Sequence, residues 1–462
     1  MLTQWKQRYL GDRPFYRMVL RVAVPIMIQN GITNFVSLLD NIMVGQVGTE
    51  PMSGVAIVNQ LLFVYNLCIF GGLAGAGIFT AQFYGRGDME GIRQTFRYKL
   101  WTGLLLTVAA VALLVTAGSP LINLYLNESA DGGDLVSTLG FGQSYLGIML
   151  WGLPAFMMTQ IYASTLRECG ETFLPMRAGI IAVFINLVGN RLLIFGYKGF
   201  PALGVNGAAV ATVVSRYVEL LIVVIWTHVH RVYNSWVVGA YRTLRIPSER
   251  ALDFFRRGFP LLINEALWSS GMATLTQCYS MRGLSAVTAQ NISSTISNLF
   301  NVVFLSMGTA IAIIVGQKLG ANRLDEARET DRKLIVFSIL LSAGTAALLI
   351  CAAPFFPRFY HTSDDIRTLA TRLMIVHACF MPQIAFMNAC YFTLRSGGKT
   401  WITFLFDSGC QWLVSIPIAY ALSRYTLVDI EGMVVCVQLG ELIKCGLGLH
   451  LVRKGVWVRN IT

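Results

Sequence analysis

The stretch LWTGLLLTVAAVALLVTAG, residues 100–118, decides the class of fold. It contains no charged residue and is close to the ~20 apolar residues that an α-helix needs to cross a bilayer. Similar stretches recur along the 462 residues, which are 55% hydrophobic and only 13% charged. Soluble domains are about 25% charged. Because lipid offers no hydrogen bonds to a backbone, such segments are expected to be helices.

Twelve segments of this kind predict an all-α integral membrane protein with twelve transmembrane helices. The predicted spans are 22–47, 53–83, 100–125, 137–166, 175–197, 204–229, 258–281, 287–317, 334–356, 368–394, 401–423 and 428–452. The nine cysteines are scattered through apolar runs without a C-x-x-C pair, so neither a disulfide framework nor a resident metal site is predicted. A P-loop is also missing from the sequence, and no cofactor is expected.

The basic residues predict the orientation of the chain. Of the 36 Lys and Arg residues, 27 fall in the termini and in alternate loops, and six fall in the opposite loops. The positive-inside rule then places both termini in the cytoplasm, in the plasma (inner) membrane. The net charge of +12 is therefore a topology signal with anionic lipid as its partner. No module for nucleic-acid binding is recognisable.

The two halves of the sequence repeat one another. At an offset of 235 the matches are Pro25 and Pro260, Gly48 and Gly283, Gln82 and Gln317, Gly85 and Gly320, and Arg93 and Arg328. TLRECGET from Thr165 matches TLRSGGKT from Thr393. We predict two pseudo-symmetric six-helix lobes, 1–229 and 258–462, joined by a cytoplasmic loop, 230–257. Six spans return the chain to its starting side, so the repeats are parallel, and substrate sites in such transporters lie between the halves.

The order of these motifs resembles the multidrug and toxic compound extrusion (MATE) family over essentially the whole chain. The resemblance is carried by PIMIQN at 25–30, LLDNIMVGQVG at 38–48, GVNGAAVAT at 204–212, the duplicated TLR-x-x-G-x-T motif, and the loops YGRGDMEGIRQ and LGANRLDEARE. It implies a V-shaped pair of lobes. It also implies a secondary-active antiporter that exports organic, often cationic and amphipathic compounds in exchange for H⁺ or Na⁺, expected here to be a monomer.

Asp40 is an acidic residue inside the first predicted span. A charge there costs about 2.5–3.5 kcal/mol on insertion scales, and aspartate is too short to reach the headgroups from this depth. Asn30 and Asn34 belong to a polar stripe of the same helix, which Asp40 flanks. This face is expected to point into a cavity or into the helix bundle, so Asp40 is predicted to be functional.

The resemblance adds further residues to this site. Tyr145, Asn186 and Asn190 match positions of the N-terminal cation and proton site, with Asp40. The usual N-x-x-x-D pattern of the fifth span reads NLVGN here, so a second carboxylate is replaced by Asn190. Transient Na⁺ binding at Asp40 stays open. The missing carboxylate favours H⁺ because Na⁺, like other hard cations, needs several oxygen ligands. Arg191 is a candidate counter-ion.

Other polar residues within spans are further candidates. Glu265 resembles an acidic residue of the seventh span that some family members use for coupling. Asp407 and His377 could also take part in coupling or bind a cationic substrate, or they could be structural. The pairs Arg216–Glu219 and Glu441–Lys444, each three residues apart, are interpreted as structural. The polar residues most suited to lining a cavity are Asn30, Asn34, Gln160, Tyr162, Gln383 and Asn388.

Two other functions compete with antiport. A flippase for lipid-linked precursors or polysaccharides has a related fold, but it should present several cations to a pyrophosphate, whereas the charges at cavity depth here are mostly acidic. A membrane enzyme would need a cluster such as H-E-x-x-H or G-x-S-x-G, and the sequence contains neither. The chain is therefore predicted not to be an enzyme.

Overall fold

The computed structural model describes residues 8–125, 135–197, 199–360 and 362–462, and within these ranges it contains helices and no strand. The long helices are α1 Arg13–Gly45, α2 Thr49–Arg86, α3 Met89–Tyr125, α4 Leu135–Met149, α5 Gly152–Glu168, α6 Phe173–Phe195, α7 Val205–Val229, α8 Ser248–Ser280, α9 Leu284–Gly320, α10 Leu324–Ala352, α11 Asp364–Ser396, α12 Thr400–Tyr425, α13 Ile430–Gly440 and α14 Leu442–Lys454. Short 3₁₀ turns occupy Ser235–Val237 and Phe356–Phe359.

The membrane class predicted from the sequence is confirmed. In the described ranges nine helices are long and apolar enough to cross a membrane, or ten if the bent pair α4–α5 counts as one span. The number twelve stays a prediction. Most helices extend beyond the predicted apolar spans: α2 continues to Arg86 and α9 to Gly320, because polar residues at a membrane surface continue a helix as readily as apolar ones.

Three of the predicted spans are not regular helices. The fourth bends by 48° between α4 and α5, just ahead of Pro154, which has no N–H to donate. Its repeat partner Pro382 lies inside the unbroken helix α11, so proline alone does not decide the bend. The eleventh span, α12, contains two π-helical turns, Leu405–Gly409 and Gln411–Ser415, and the twelfth is interrupted between α13 and α14.

The chain divides into two compact units. The amino unit comprises Ile28–Thr80 and Met89–Phe255, and the carboxy unit comprises Met1–Met27, Ala81–Asp88 and Arg256–Thr462. The lobes predicted from the repeat, 1–229 and 258–462, stay a prediction. The compact units group residues 230–255 with the amino half and residues 81–88 with the carboxy half.

The segment after α7, residues 230–247, is bound to the amino unit through its backbone carbonyl groups. Arg97 on α3 donates to the carbonyl oxygens of Ala240, 2.9 Å, and Gly239, 3.0 Å. The side chain of Trp236 is 1% exposed and packs on Phe96. Charge-assisted bonds to backbone carbonyls are stronger than neutral ones, so this segment belongs to the unit and is not a free linker.

The carboxy unit contains a close crossing of two repeat-related helix ends. A Cβ on Gly85 of α2 would overlap the carbonyl oxygen of Gln317, and a Cβ on Gly320 of α9 would overlap that of Gln82. Gln82 is fully buried, and its amide donates to the carbonyl of Ser396 and accepts from the N–H of Ile461. Only glycine permits such an approach of two backbones, so these positions fix the crossing.

Candidate functional site

The carboxylate of Asp40 in the amino unit is held by two asparagine amides of α6. Asn190 Nδ2 donates to Asp40 Oδ1 over 2.6 Å. One end of the Asn186 amide faces both carboxylate oxygens, at 2.9 and 3.1 Å, and its other end lies 3.0 Å from Thr212 Oγ1. Both contacts are satisfied when the nitrogen donates to Asp40 and the oxygen accepts from the threonine hydroxyl.

Small residues bring the helices of this site together. A Cβ on Gly189 of α6 would lie 2.9 Å from the Cβ of Ala211 on α7, and one on Gly207 would overlap the carbonyl oxygen of Leu193. The close approach of α6 and α7 places Asn186 against Thr212. Small residues allow such contacts between membrane helices, where interhelical hydrogen bonds add to the packing.

Tyr145 is the third predicted partner of Asp40 that the structure places in the same region. It lies on α4 with a 5% exposed side chain, and its hydroxyl donates to Asn59 Oδ1 on α2 over 3.4 Å. Asn59 and Thr212 were missed by the sequence interpretation because an isolated polar residue in an apolar helix carries no local signal of its partner.

Arg216 on α7 pairs with a carboxylate of its own helix, with Nη1 3.2 Å from Glu219 Oε2. The predicted counter-ion, Arg191, is instead exposed and lies 5.7 Å from the ring centroid of Tyr197. It follows Asn190 directly, and consecutive residues of a helix point about 100° apart, so its side chain leaves the site.

Asp407 in the carboxy unit is held in an ion pair. Lys444 Nζ on α14 lies 2.7 Å from Asp407 Oδ1, and Asn264 Nδ2 on α8 donates to Oδ2 over 3.1 Å. The Oδ1 of Asn264 accepts from Ser408 Oγ over 2.8 Å. Asp407 lies in the first π turn of α12. Because Lys444 and Asn264 engage both of its carboxylate oxygens, this geometry supports the structural alternative for Asp407.

The pairing of Glu441 with Lys444, predicted from their spacing of three, is corrected by this geometry. Lys444 reaches across to Asp407 on α12, and Glu441 Oε1 accepts from Ser415 Oγ over 3.2 Å. Glu441 lies at the break between α13 and α14, so regular helical spacing does not apply there. The pair Arg216–Glu219, which lies within the continuous helix α7, is formed as predicted.

Glu265 lies next to Asn264 on α8 and shares its surroundings. Asn264 donates to Asp407, so Glu265 is one residue away from the contact with the Asp407–Lys444 pair. His377 on α11 has Nδ1 3.2 Å from the carbonyl oxygen of Leu373 one turn earlier. A ring nitrogen satisfied by its own helix is typical of a structural histidine.

The predicted cavity residues have different surroundings. Gln383 Nε2 donates to the Gln438 carbonyl and Asn388 Nδ2 to that of Phe304, each over 2.8 Å. Tyr162 is 1% exposed, bonds the hydroxyl of Tyr241, and packs among aromatic rings. It therefore belongs to the core of the amino unit. The remaining three are Gln160 and Asn30, both half-buried, and Asn34, which is exposed.

The donor set around Asp40 suits a single titrating carboxylate. Two amide N–H groups stabilise its charged form, and one buried acceptor, Asn190 Oδ1, has no hydrogen-bond partner. Within the described residues no group of three His, Cys, Asp or Glu side chains is arranged to hold a metal ion. The site can take up and release one proton, or present a few oxygens to a monovalent cation.

Comparison with known proteins agrees with the fold. The MatE family model matches residues 25–192 and 260–421. The chain is 23% identical over 449 residues to "Probable multidrug resistance protein NorM" of Thermotoga maritima, covering 96% of this chain and 93% of that protein. It is 26% identical over 417 residues to "Multidrug resistance protein MdtK" of Edwardsiella ictaluri, covering 88% and 87%.

Solved structures share the same fold. "Crystal structure of MATE in the straight conformation" superposes with a TM-score of 0.85 at 20% identity, covering 97% of each chain. A multidrug resistance MATE family transporter in an outward-facing conformation gives 0.83 at 21% identity, covering 97% of this chain and 96% of that one. The two segments that match the family model make up more than half of the sequence. The chain therefore belongs to the multidrug and toxic compound extrusion family of membrane transporters.

Proposed function

We propose that this protein is a secondary-active multidrug antiporter of the plasma (inner) membrane, with both termini in the cytoplasm. It exports organic, amphipathic cations in exchange for H⁺ or Na⁺. The names of its relatives, multidrug resistance proteins, support the class of cargo. The observation that carries the coupling proposal is the Asp40 carboxylate, held by Asn190 and Asn186 inside the amino unit.

Asp40 couples the two fluxes by carrying either a proton or a negative charge. Two amide donors, from Asn190 and Asn186, stabilise the charged form, and protonation removes that charge. A charged Asp40 attracts a cationic substrate, and a protonated Asp40 does not. Proton uptake from the outside therefore releases cargo, and proton loss to the cytoplasm prepares the next cycle.

A proton is the favoured coupling ion. The amide nitrogens of Asn186 and Asn190 face the carboxylate, which is the arrangement that an anion requires. Na⁺ needs oxygen ligands instead, and among Asp40, Tyr145, Asn186 and Asn190 only Asn190 Oδ1 is a buried acceptor without a hydrogen-bond partner. Asn190 also replaces a carboxylate that would strengthen a sodium site.

The flippase alternative receives less support. Cations occur inside the helices, but Lys99, Arg216 and Lys444 each form an ion pair with a carboxylate in their own unit. Pyrophosphate recognition would need cations whose charge is not already neutralised by a neighbour. Cationic cargo is therefore the better match.

The test is transport by the purified protein in liposomes. Efflux of an ethidium-type dye is followed under separately imposed H⁺ and Na⁺ gradients. Export driven by a pH gradient without Na⁺ is expected. Export that ignores both gradients, or transport of a lipid-linked pyrophosphate without dye efflux, would reject the antiport proposal.

A further inference from the structure

The carboxy unit contains a cavity of about 690 Å³ that no step of the proposed transport cycle uses. Its walls are the segment 10–15 around the start of α1, the end of α9 at Lys318, and the first turns of α10. Ligand pockets in proteins usually have volumes of about 300–1,000 Å³. The cavity is therefore large enough to hold a small molecule or the headgroup of a lipid.

The charged wall of the cavity adjoins two predicted membrane spans. Lys318 directly follows the predicted span 287–317, and Lys333 directly precedes the predicted span 334–356. The segment 318–333 between these spans is one of the basic connections that the positive-inside rule assigns to the cytoplasm. A ligand of the cavity is therefore expected to come from the headgroup layer of the inner leaflet.

Charges of both signs line the cavity. Lys333 Nζ lies 2.5 Å from Glu329 Oε1, and Lys318 Nζ lies 3.3 Å from Glu326 Oε2. Asp12, just ahead of α1, adds a third carboxylate. Both glutamates are exposed, so each keeps an oxygen that can accept from a ligand. A lysine ammonium has three donors, so each lysine can bind a ligand in addition to its glutamate.

A buried hydroxyl of the cavity wall has no partner in the protein. Thr330 on α10 lines the cavity and is 6% exposed, and within the described ranges its hydroxyl takes part in no hydrogen bond. Its repeat counterpart, Thr95, is buried as well, but that hydroxyl donates to the carbonyl of Ile92 and accepts from Thr80. Because buried polar groups normally have a partner, the hydroxyl of Thr330 indicates that a ligand supplies one.

The repeat shows that this charged surface is specific to the carboxy unit. The four charged positions on α9 and α10 are neutral in the amino half, where at the offset of 235 the residues are Phe83, Gly91, Gln94 and Tyr98. Gln94 is buried, and its amide oxygen accepts from Arg250 Nη1 over 2.6 Å. Its counterpart Glu329 is exposed. A face that the chain itself covers on α3 is thus left open on α10.

We propose that this cavity binds the headgroup of a zwitterionic phospholipid with a primary ammonium group, such as phosphatidylethanolamine, from the inner leaflet. The two lysines and the hydroxyl of Thr330 donate to the phosphate, and the carboxylates accept from the ammonium. Three acids and two lysines line the cavity, which disfavours a lipid of net negative charge. A choline headgroup has no N–H to donate. The proposal does not depend on the coupling role of Asp40.

The test is lipid binding to the delipidated full chain in detergent, measured by native mass spectrometry and by the melting temperature. Phosphatidylethanolamine should bind and raise the melting temperature. Phosphatidylcholine and phosphatidylglycerol with the same acyl chains should bind about tenfold more weakly, the factor that corresponds to one charge-assisted hydrogen bond. Lys318→Gln and Glu329→Gln should each weaken binding of phosphatidylethanolamine by about the same factor.

Thr330→Val is the most specific variant, because it removes the hydroxyl and keeps the volume of the side chain. Lipid binding should weaken several-fold, while the melting temperature of the lipid-free protein stays unchanged because no internal hydrogen bond is lost. The matched control is Thr95→Val, which breaks the bonds to Ile92 and Thr80. It should lower the melting temperature and leave lipid binding intact.

Four outcomes would overturn the proposal. They are equal binding of the three lipids, wild-type lipid binding by Thr330→Val, binding of soluble phosphoethanolamine as tight as that of the lipid, and displacement of the lipid by ethidium. The last result would assign the cavity to cationic cargo. Because these measurements need no transport, they are independent of the antiport proposal.

Discussion

The amide of Asn190 donates to the carboxylate of Asp40 over 2.6 Å although 150 positions of sequence separate the two residues. The contact joins the first helix of the amino half to its fifth predicted span. It replaces the second carboxylate of the common family pattern with a neutral donor. One ionisable acid and two amides therefore form the centre of the proposed site, and we expect this composition to determine the response to pH and to Na⁺.

Asp40→Asn is expected to stop coupled export while the protein remains folded. The variant removes a buried charge together with its desolvation penalty, so thermal stability in detergent should be unchanged or higher. Dye efflux at matched protein amounts checks the first outcome, and a melting curve checks the second. Wild-type efflux would mean that Asp40 does not couple transport.

Asn190→Asp should move the pH profile of transport upward and increase stimulation by Na⁺. Two neighbouring carboxylates repel one another, so the pair keeps a proton to higher pH than Asp40 alone. It also offers Na⁺ a second charged ligand. Both effects should disappear when Asp40→Asn is added, because the coupling requires both partners. An unchanged profile and Na⁺ response would show that residue 190 does not take part in coupling.

Lys99→Leu should lower stability by about 3 kcal/mol, since it leaves Glu168 without its buried partner. The pair is short, at 2.5 Å, and the lysine side chain is fully buried. The double variant Lys99→Leu with Glu168→Leu should recover most of the loss. Thermal unfolding in detergent measures both. Equal melting temperatures for Lys99→Leu and the wild type would contradict a stabilising pair.

Asp407→Asn should lower thermal stability and leave the pH dependence of export intact. Lys444 would lose the carboxylate that it contacts over 2.7 Å, and an unpaired buried cation is costly. Adding Lys444→Met should restore the melting temperature. Loss of pH-dependent export at normal stability would instead assign Asp407 to coupling.

A cysteine at position 129 should react with an impermeant thiol reagent in intact cells, and one at position 248 should not. The background is a cysteine-free variant. Ser129 lies outside the described residues, in a predicted loop without Lys or Arg, whereas Ser248 begins α8 next to a basic segment. The positive-inside rule places the first loop outside the cell and the second in the cytoplasm. The reverse labelling pattern would invert the predicted topology.

The sequence was sufficient to predict the membrane class, and resemblance to the family grouped Asp40 with Tyr145, Asn186 and Asn190. The sequence could not predict that Tyr145 donates to Asn59 on α2, or that Asn186 contacts Thr212 on α7. Asn59 and Thr212 are isolated polar residues in apolar helices, so no local pattern marks their partners. Contacts across helices depend on helix rotation, which an apolar pattern does not determine in lipid.

The carboxy unit shows the same limit of local patterns. The spacing of three residues favoured an ion pair between Glu441 and Lys444, but the lysine contacts Asp407 on α12. The π turn that contains Asp407 and the break at Glu441 cannot be recognised from the sequence. Irregular helices change which residues share a face, and this change cannot be derived from a regular spacing.

The crossing of Gly85 and Gly320 is reciprocal between the two repeats. Each glycine lies against the carbonyl of the residue that is three positions before the other glycine, Gln317 and Gln82. The two contacts are equivalent under the repeat, and this reciprocity is the pattern of an isologous contact, in which residue i of one copy contacts residue j of the other and the reverse. The two repeat-related helix ends therefore cross about a local two-fold axis, and a side chain larger than glycine at either position would push the two backbones apart.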